Sequence, residues 1–511
     1  MIRSSWLRTA IASVSIAAAL AVAALPTSNA RADARWPQFR GPNAAGVAPD
    51  GMKLPTQFGP AQNVLWKTAL PRGHSSPCIW GDRIFLTGFD SAGSKLETIC
   101  IDRNSGRIVW RRAAPAKEIE KVHSVSSPAV ATPATDGARV YVYFASCGLL
   151  CYDFDGNQLW MKPMPVARTT FGTGTSPIVA GELVLLNREF QPEPSLIAIR
   201  ARTGEVAWNQ PRKLFSMGGP SEGYATPILA NHDGIQEVLI HSPSQLAAYD
   251  LKSGRQRWSV PFTSTACSTP VYADGRVFVV AHSFGSVPGE MEPPPPFDVV
   301  LKKYDKDHDG KISEKEFPKD DLYLFRRLEA AGIPGAEVSL KQFFGFIDQN
   351  KDGQISREEW NRFLIMYRFM SLKQRIGLFA ISPGAGGEGS HPNVVWREQR
   401  ALAEVPSPLH YRDRIYMVRD GGIVSCLDAE SGRLVYRERC GPGGAYFSSP
   451  VAGDGRVYVA SQRGVVAVLS AGDKLEVLAR NDLKEPILAT PALADGKIYI
   501  RTEKNLYAFG K

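Results

Sequence analysis

The 511-residue chain has only seven cysteines and no adjacent pair of them. It also lacks a Cys-x-x-Cys or Cys-x-x-Cys-His run, so nothing supports a dithiol redox role or covalent haem attachment. A P-loop, a nucleophile elbow and a zinc-binding helix are absent too. The histidines His232, His241, His282, His391 and His410 are scattered without ligand spacing. Charge is sparse: charged residues make up 22% of the chain, and the net charge of +9 comes with no block of Lys or Arg. That pattern argues against nucleic acid as a partner. The apolar run from Ala10 to Leu25 is too short to span a bilayer. With Arg3 and Arg8 before it, Pro26 after it and small residues at Ser28, Ala30 and Ala32, it has the pattern of a cleavable signal peptide over residues 1–32. No cysteine near the cleavage site offers a lipid anchor. The expected mature protein is exported, periplasmic or extracellular, with no membrane span, and monomeric.

What the sequence does have is repetition. A Ser/Thr-Pro step recurs at Pro77, Pro128, Pro177, Pro227, Pro270, Pro408, Pro450 and Pro491. Each opens a unit of alternating apolar runs and tight turns, of the length that builds four short strands. Proline has no N–H for a ladder, so it suits the start of an innermost strand. The unit closes on a hairpin such as Asp102, Ser105, Gly106, Arg107 and Trp110, repeated at Asp250, Ser253, Gly254, Arg255 and Trp258. The Asp can cap backbone N–H groups, the Gly can take φ > 0, and the Trp offers a large ring to the next unit. A third copy at Asp428, Ser431, Gly432 and Arg433 ends in Tyr436. Arg200 replaces the Asp in another, and the copy at Gly472 and Asp473 has no Trp.

These residues resemble the pyrroloquinoline-quinone (PQQ) type β-propeller repeat family, over roughly residues 36–511. Trp36, Pro37, Gln38, Phe39, Arg40, Gly41 and Pro42 look like the N-terminal signature of its exported members. The resemblance implies an all-β, eight-bladed propeller. Val64 to Lys67 reads as a lone outer strand, while the last repeat, ending at Phe509, lacks one. The N-terminal strand is therefore expected to complete the eighth blade and close the ring, removing an exposed edge. Cys100, Cys151 and Cys426 fall at one blade position and are expected to be buried small hydrophobes. Cys147 and Cys151 flank a turn at Gly148, and a bridge between them is left open.

Blade five is interrupted. Its first two strands follow Pro270, but its closing half resumes near Ile376, after Pro293 to Pro296 and a foreign segment. Within that segment lie two twelve-residue loops with the EF-hand pattern, which needs carboxylate or amide oxygens at positions 1, 3 and 5, Gly at 6, a backbone carbonyl at 7 and a bidentate Glu at 12. The first supplies Asp305, Asp307, Asp309, Gly310, Lys311 and Glu316, and the second Asp348, Asn350, Asp352, Gly353, Gln354 and Glu359. Ser313 and Ser356 hold position 9, and Ile312 and Ile355 at position 8 are expected to pair the loops. Val299, Val300 and Tyr304, then Phe343, Phe344 and Ile347, read as incoming helix faces, the second opened by a Ser339/Gln342 capping box. Phe317, Leu322 and Phe325, then Trp360, Phe363 and Leu364, read as outgoing faces. The domain plan is a signal peptide (1–32), a closing strand with blades one to early five (33–288), a small α-helical EF-hand pair (289–375), and the rest of blade five with blades six to eight (376–511).

Two calcium sites follow from the loops. The fold resemblance also brings in PQQ dehydrogenases of alcohols or sugars, but those enzymes carry an adjacent cysteine pair over the cofactor. Its absence makes PQQ an unlikely cofactor here. The expected role is a calcium-binding, non-catalytic binding or assembly module, with a PQQ-dependent dehydrogenase as the alternative. Its partner would be a protein or peptide at the propeller mouth or along blade edges. Arg72, His74, His123, Arg168, Tyr224 and Tyr446 precede innermost strands and are candidates to ring that mouth.

Overall fold

In the computed structural model, residues 34–212, 222–282, 294–326, 337–373, 376–384, 392–400 and 402–510 are described. The expected signal peptide lies outside them. Eight antiparallel sheets of blade type follow one another around the chain, each ordered from its inner to its outer strand. Blade one runs through Cys78–Trp80, Arg83–Asp90, Lys95–Asp102 and Ile108–Ala113, and the others repeat the plan. The eighth blade takes its inner three strands from Ala492–Ala494, Lys497–Arg501 and Asn505–Phe509, and its outer strand from Val64–Ala69. Val64 pairs with Phe509 and Ala69 with Asn505, so the ring is closed by its two chain ends.

The closing hairpins explain how blades hold each other. In seven of the eight outer strand pairs the register shifts beside a large ring, which lies opposite a small residue of the third strand; in blade seven Ala479 stands there opposite Val468. Trp110 faces Cys100, Trp160 faces Cys151, Trp208 faces Ala198 and Tyr436 faces Cys426. The shared cysteine position is thus a demand for small volume under an indole or phenol. Cys100, Cys147, Cys151 and Cys426 are all buried free thiols, so Cys147 and Cys151 are not bridged. Burial pushes the Cys100 and Cys426 thiols up to about 12, which makes them inert packing groups.

Most of these indoles reach across to the next blade, whereas Trp258 donates to Glu237 of its own blade. Trp66, Trp110, Trp160 and Trp208 donate Nε1–H to the carbonyls of Arg103, Phe154, Ala201 and Leu251 at 2.9 to 3.0 Å. Each also covers the turn glycine there. A Cβ on Gly106 would lie 2.6 Å from Trp66. The turn survives where Arg200 replaces the Asp, because Arg200 still accepts the N–H of Gly204.

The insertion leaves between Arg276–Ala281 and Gly377–Ser382, adjacent strands of blade five. It has its own core, in which Phe297, Val300, Ile312, Phe317, Leu340, Phe344, Ile347, Ile355, Trp360 and Phe363 are buried together. Two expectations need correction. Val299 points outward and is 53% exposed, since only one side of the short helix Phe297–Tyr304 meets that core. Over the described residues 317–326 the chain forms no outgoing helix. It makes turns and a strand, Tyr323–Arg326, paired with Glu337–Ser339. Phe317 and Leu322 lie in the core, while the side chain of Phe325 lies outside what the structure describes. Ser339 does cap the second entry, accepting the N–H of Lys341.

Candidate functional site

Two places carry chemistry, the paired loops and the central channel. In the first loop Gly310 has φ +81, which turns the chain so that carboxylate oxygens of Asp305, Asp307 and Asp309 all lie within 4.8 Å of one another. A hard cation with oxygens at about 2.3–2.6 Å has ligands that far apart across its sphere. Asp305 Oδ1 is buried and has no hydrogen-bond partner, as expected of an oxygen reserved for an ion. Glu316 spans the loop, accepting from Lys306 N with one oxygen and from Ser313 N and Oγ with the other. Those bonds, the Ser313 hydroxyl first, hold its carboxyl down to about 2, so it stays ionised.

The second loop repeats the arrangement. Gly353 again has φ +81, Asp348 accepts from Gly353 N, and Glu359 accepts from Gln349 N, Asn350 N and Ser356 N. Ile312 pairs with Ile355, both fully buried. Across the pair Gln354 donates to Asp309 at 3.0 Å, and Lys311 approaches Asp352 at 3.4 Å. Of the residues chosen from spacing, Asp305, Asp307 and Asp309 are brought together in the first loop.

The channel has a feature the motif scan only half saw. Ser76 N donates to Thr132 Oγ1, Thr132 N to Ser176 Oγ, Ser176 N to Thr226 Oγ1 and Thr226 N to Thr269 Oγ1. The series continues through Ser407, Ser449 and Thr490 and returns from Thr490 N to Ser76 Oγ, with all eight distances between 2.9 and 3.1 Å. Every blade thus contributes the Ser or Thr before its opening proline to one closed belt. In blade two that step is Thr132-Pro133, which corrects the choice of Pro128.

One end of the channel is filled by the N-terminal segment. Arg35 and Trp36 add to the far end of blade one's inner strand, Pro37 O accepts from Thr135 in blade two, and Asn43 exchanges two bonds with Leu229 in blade four. Arg40 donates to Pro408 O in blade six, and Gly46 and Ala48 bond to Ala452 in blade seven. The Trp36-to-Pro42 signature is therefore a plug that staples the ring from inside. The other end opens as a well of about 250 Å³, with Phe39 in its lining and His74, Phe171, Tyr224, Tyr446 and Phe447 around it. Among the expected mouth residues, His74, Tyr224 and Tyr446 line the well. His123 stands edge-on to Phe171 instead. Arg72 and Arg168 are outside the lining, their backbones bridged to Phe89 and Gln191.

Strand direction fixes which face this is. The inner strand runs from the belt toward the plug, so the connection between second and third strands returns to the well's face. Asp420, on that connection in blade six, lines the well. The EF-hand pair replaces the same connection in blade five.

The wall behind the well holds an unusual acid. Glu120 is 3% exposed, and its only side-chain bond accepts the Thr173 hydroxyl at 3.4 Å. Burial raises its pKa to about 8. The folded protein then binds a proton that the unfolded chain has released from about pH 4.5 upward, so stability falls as pH rises toward 8. Glu120→Gln is expected to unfold at a higher temperature than the parent at pH 8 and at a similar one at pH 4.5. Denaturation scans across that range check this, the gap reaching a few kcal/mol.

Comparison with known proteins agrees with the geometry. The family described as "Outer membrane protein assembly factor BamB" matches residues 56–219, 225–287, 380–475 and 420–509. An EF-hand domain pair matches residues 297–368. The outer membrane protein assembly factor BamB of Burkholderia pseudomallei is 25% identical over 225 residues, which are 42% of this chain and 50% of that protein. The chain thus spans about half the length of that relative. Among solved structures, the quinohemoprotein alcohol dehydrogenase of Comamonas testosteroni superposes with a TM-score of 0.51 at 12% identity, covering 95% of this chain and 82% of its own. The designed Ika8 protein gives 0.51 at 9% identity, covering 88% of this chain and 100% of its own. At such identities both likenesses are of fold alone. Because the BamB match runs through most of the ring, the chain belongs to the BamB outer membrane protein assembly factor family and carries an EF-hand domain pair inserted in its fifth blade.

Proposed function

We propose that this protein is an exported, calcium-loaded, non-catalytic assembly module that receives a segment of a partner protein at the open well. The observation that carries the reading is the asymmetry of the channel, plugged by Trp36 to Ala48 at one end and open at the other, on the face where the EF-hand pair leaves the ring. Residues 33–288 and 376–511 supply the ring and its plug, and 289–375 the inserted pair. Membership of the BamB family supports a protein partner. No helix among the described residues is long and apolar enough to cross a membrane.

In this reading two calcium ions are held, one by Asp305, Asp307, Asp309, the Lys311 carbonyl and Glu316, the other by Asp348, Asn350, Asp352, the Gln354 carbonyl and Glu359. The convergent oxygens and the orphaned Asp305 oxygen fit such an ion. The ions offset the repulsion among the loop carboxylates and lock the short Ile312–Ile355 ladder, which steadies the pair beside the well. Titration of chelator-stripped protein is expected to give two calcium sites, and saturation of both at about 100 times Kd to add about 2.7 kcal/mol per site to the insert's stability. Glu316→Gln combined with Glu359→Gln should abolish most of that gain. A melting curve indifferent to both calcium and the double change would remove calcium from the account. A parallel titration with PQQ tests the non-catalytic assignment. Tight binding with reduction of a dye by an alcohol or sugar would overturn it.

A further inference from the structure

The belt leaves a chemical surplus on the channel axis. Each of its eight hydroxyl oxygens accepts a backbone N–H, and among the described residues none of the eight passes its own hydrogen to a protein acceptor. Seven of them, all but Thr226, line the well. The depth of the well therefore presents a ring of O–H donors with no protein acceptor among the described residues. Two buried guanidiniums flank the belt. Arg501 donates to the Ser75 carbonyl, in the peptide unit that enters Ser76. Arg40 donates to the carbonyl of Pro408, next to Ser407. Among the described residues neither has a carboxylate within ion-pair distance, and Nε of each is unpartnered. Their positive charge is carried at the depth of the belt. Higher up, the lining carries Glu404 and Asp420, the latter accepting from Tyr446 N, together with an aromatic rim.

We propose that the well takes a monoanionic carboxylate on the propeller axis, received by the hydroxyl belt, with an apolar or aromatic body against Phe171, Tyr224 and Phe447. A carboxylate offers several lone-pair sites to converging O–H donors, and such charge-assisted bonds are short and strong. Glu404 and Asp420 count against a multiply charged anion, which must pass them, and leave a single charge as the best match. The inference rests on the well being the partner site, and it names the chemistry taken there. A small free acid and the C-terminus of a peptide chain both carry that group.

The experiment is calorimetric titration of the calcium-loaded protein, in chloride-free buffer, with benzoate, benzamide, and a phenylalanine-terminated hexapeptide as free acid and as amide. Benzoate is expected to bind at least about tenfold tighter than benzamide. Thr490→Val should remove that preference and Thr490→Ser should keep it. Thr226→Val loses an equivalent belt bond outside the lining and should also keep it, which separates ligand contact from damage to the ring. A free-acid peptide binding more tightly than its amide would assign the carboxylate to a chain terminus. Benzoate alone showing the preference would assign it to a small acid. Equal binding of benzoate and benzamide, or none by either, overturns the inference. Equal binding of acid and amide peptides in that case would still leave the well as a peptide site.

Discussion

A chain starting at Leu70 is expected to lose the soluble, singly folded ring. Its removed part holds the outer strand Val64–Ala69, which pairs along the whole of Asn505–Phe509. Every residue of Asn505–Phe509 is buried, so its exposed ladder would be a flat apolar edge of the kind that recruits other chains. Trp66, with its bond to Arg103 O and its cover over Gly106, would vanish, and with it the contact between blades eight and one. Phe58, its ring tilted against Phe509 at 4.9 Å, and the plug bonds to blades two, four, six and seven would go as well. Together these are comparable with the ~5–15 kcal/mol by which a folded domain is stable. Size-exclusion chromatography should find aggregates in place of the discrete species formed by the full chain. Residues 34–69 added as a separate peptide during refolding should restore a soluble species. A truncated chain that stays a discrete species with an unchanged melting temperature would mean that closure and plug contribute little.

How much of this was legible depended on whether the signal was local. The loops were, because an EF-hand packs its pattern into twelve consecutive residues, and Asp305, Asp307 and Asp309 converge as their spacing dictates. Closure was legible from two complementary defects, a strand with no blade and a blade with no strand. The plug was not: Arg40 meets Pro408 across a sequence separation of 368, and no periodicity in Trp36 to Ala48 announces that it crosses the axis. Pro128 and Pro133 both follow a hydroxyl residue. The belt, in which Thr132 and not Ser127 receives Ser76 N, separates them, as does the start of the inner strand at Ala134. The missing outgoing helix after Glu316 was hidden for another reason. Phe317 and Leu322 have the apolar character a helix face needs, and pairing of Tyr323–Arg326 with Glu337–Ser339 overrides it. The cysteines were expected to be buried from their shared blade position, and the cause, an indole or phenol directly across the strand pair, appears only in the register.

Gly156→Ala should be among the most damaging single changes in the ring, and Gly181→Ala its measure of what is specific. Both glycines hold positive φ, +83 and +59, where an added Cβ costs about 1–2 kcal/mol from the backbone alone. At Gly181 nothing lies within 4 Å of the new carbon, so that strain is the whole expected loss. At Gly156 the carbon would sit 2.8 Å from Trp110 Cδ2 and 2.9 Å from Cε2. Trp110 cannot retreat, being buried, tied through Nε1 to Phe154 O at 2.9 Å and backed by Phe85 and Tyr152. Overpacking of that kind adds about 1–3 kcal/mol, so Gly156→Ala should cost about 1–3 kcal/mol more than Gly181→Ala in urea unfolding. A double-mutant cycle locates the cause. Trp110→Ala alone leaves a large cavity and costs about 3–5 kcal/mol. With the indole gone the alanine at 156 meets no ring, so the double variant should fall well short of the sum of its parts, by about the size of the clash. Strict additivity would place the damage in the turn itself and deny the tryptophan its role as the latch between blades one and two.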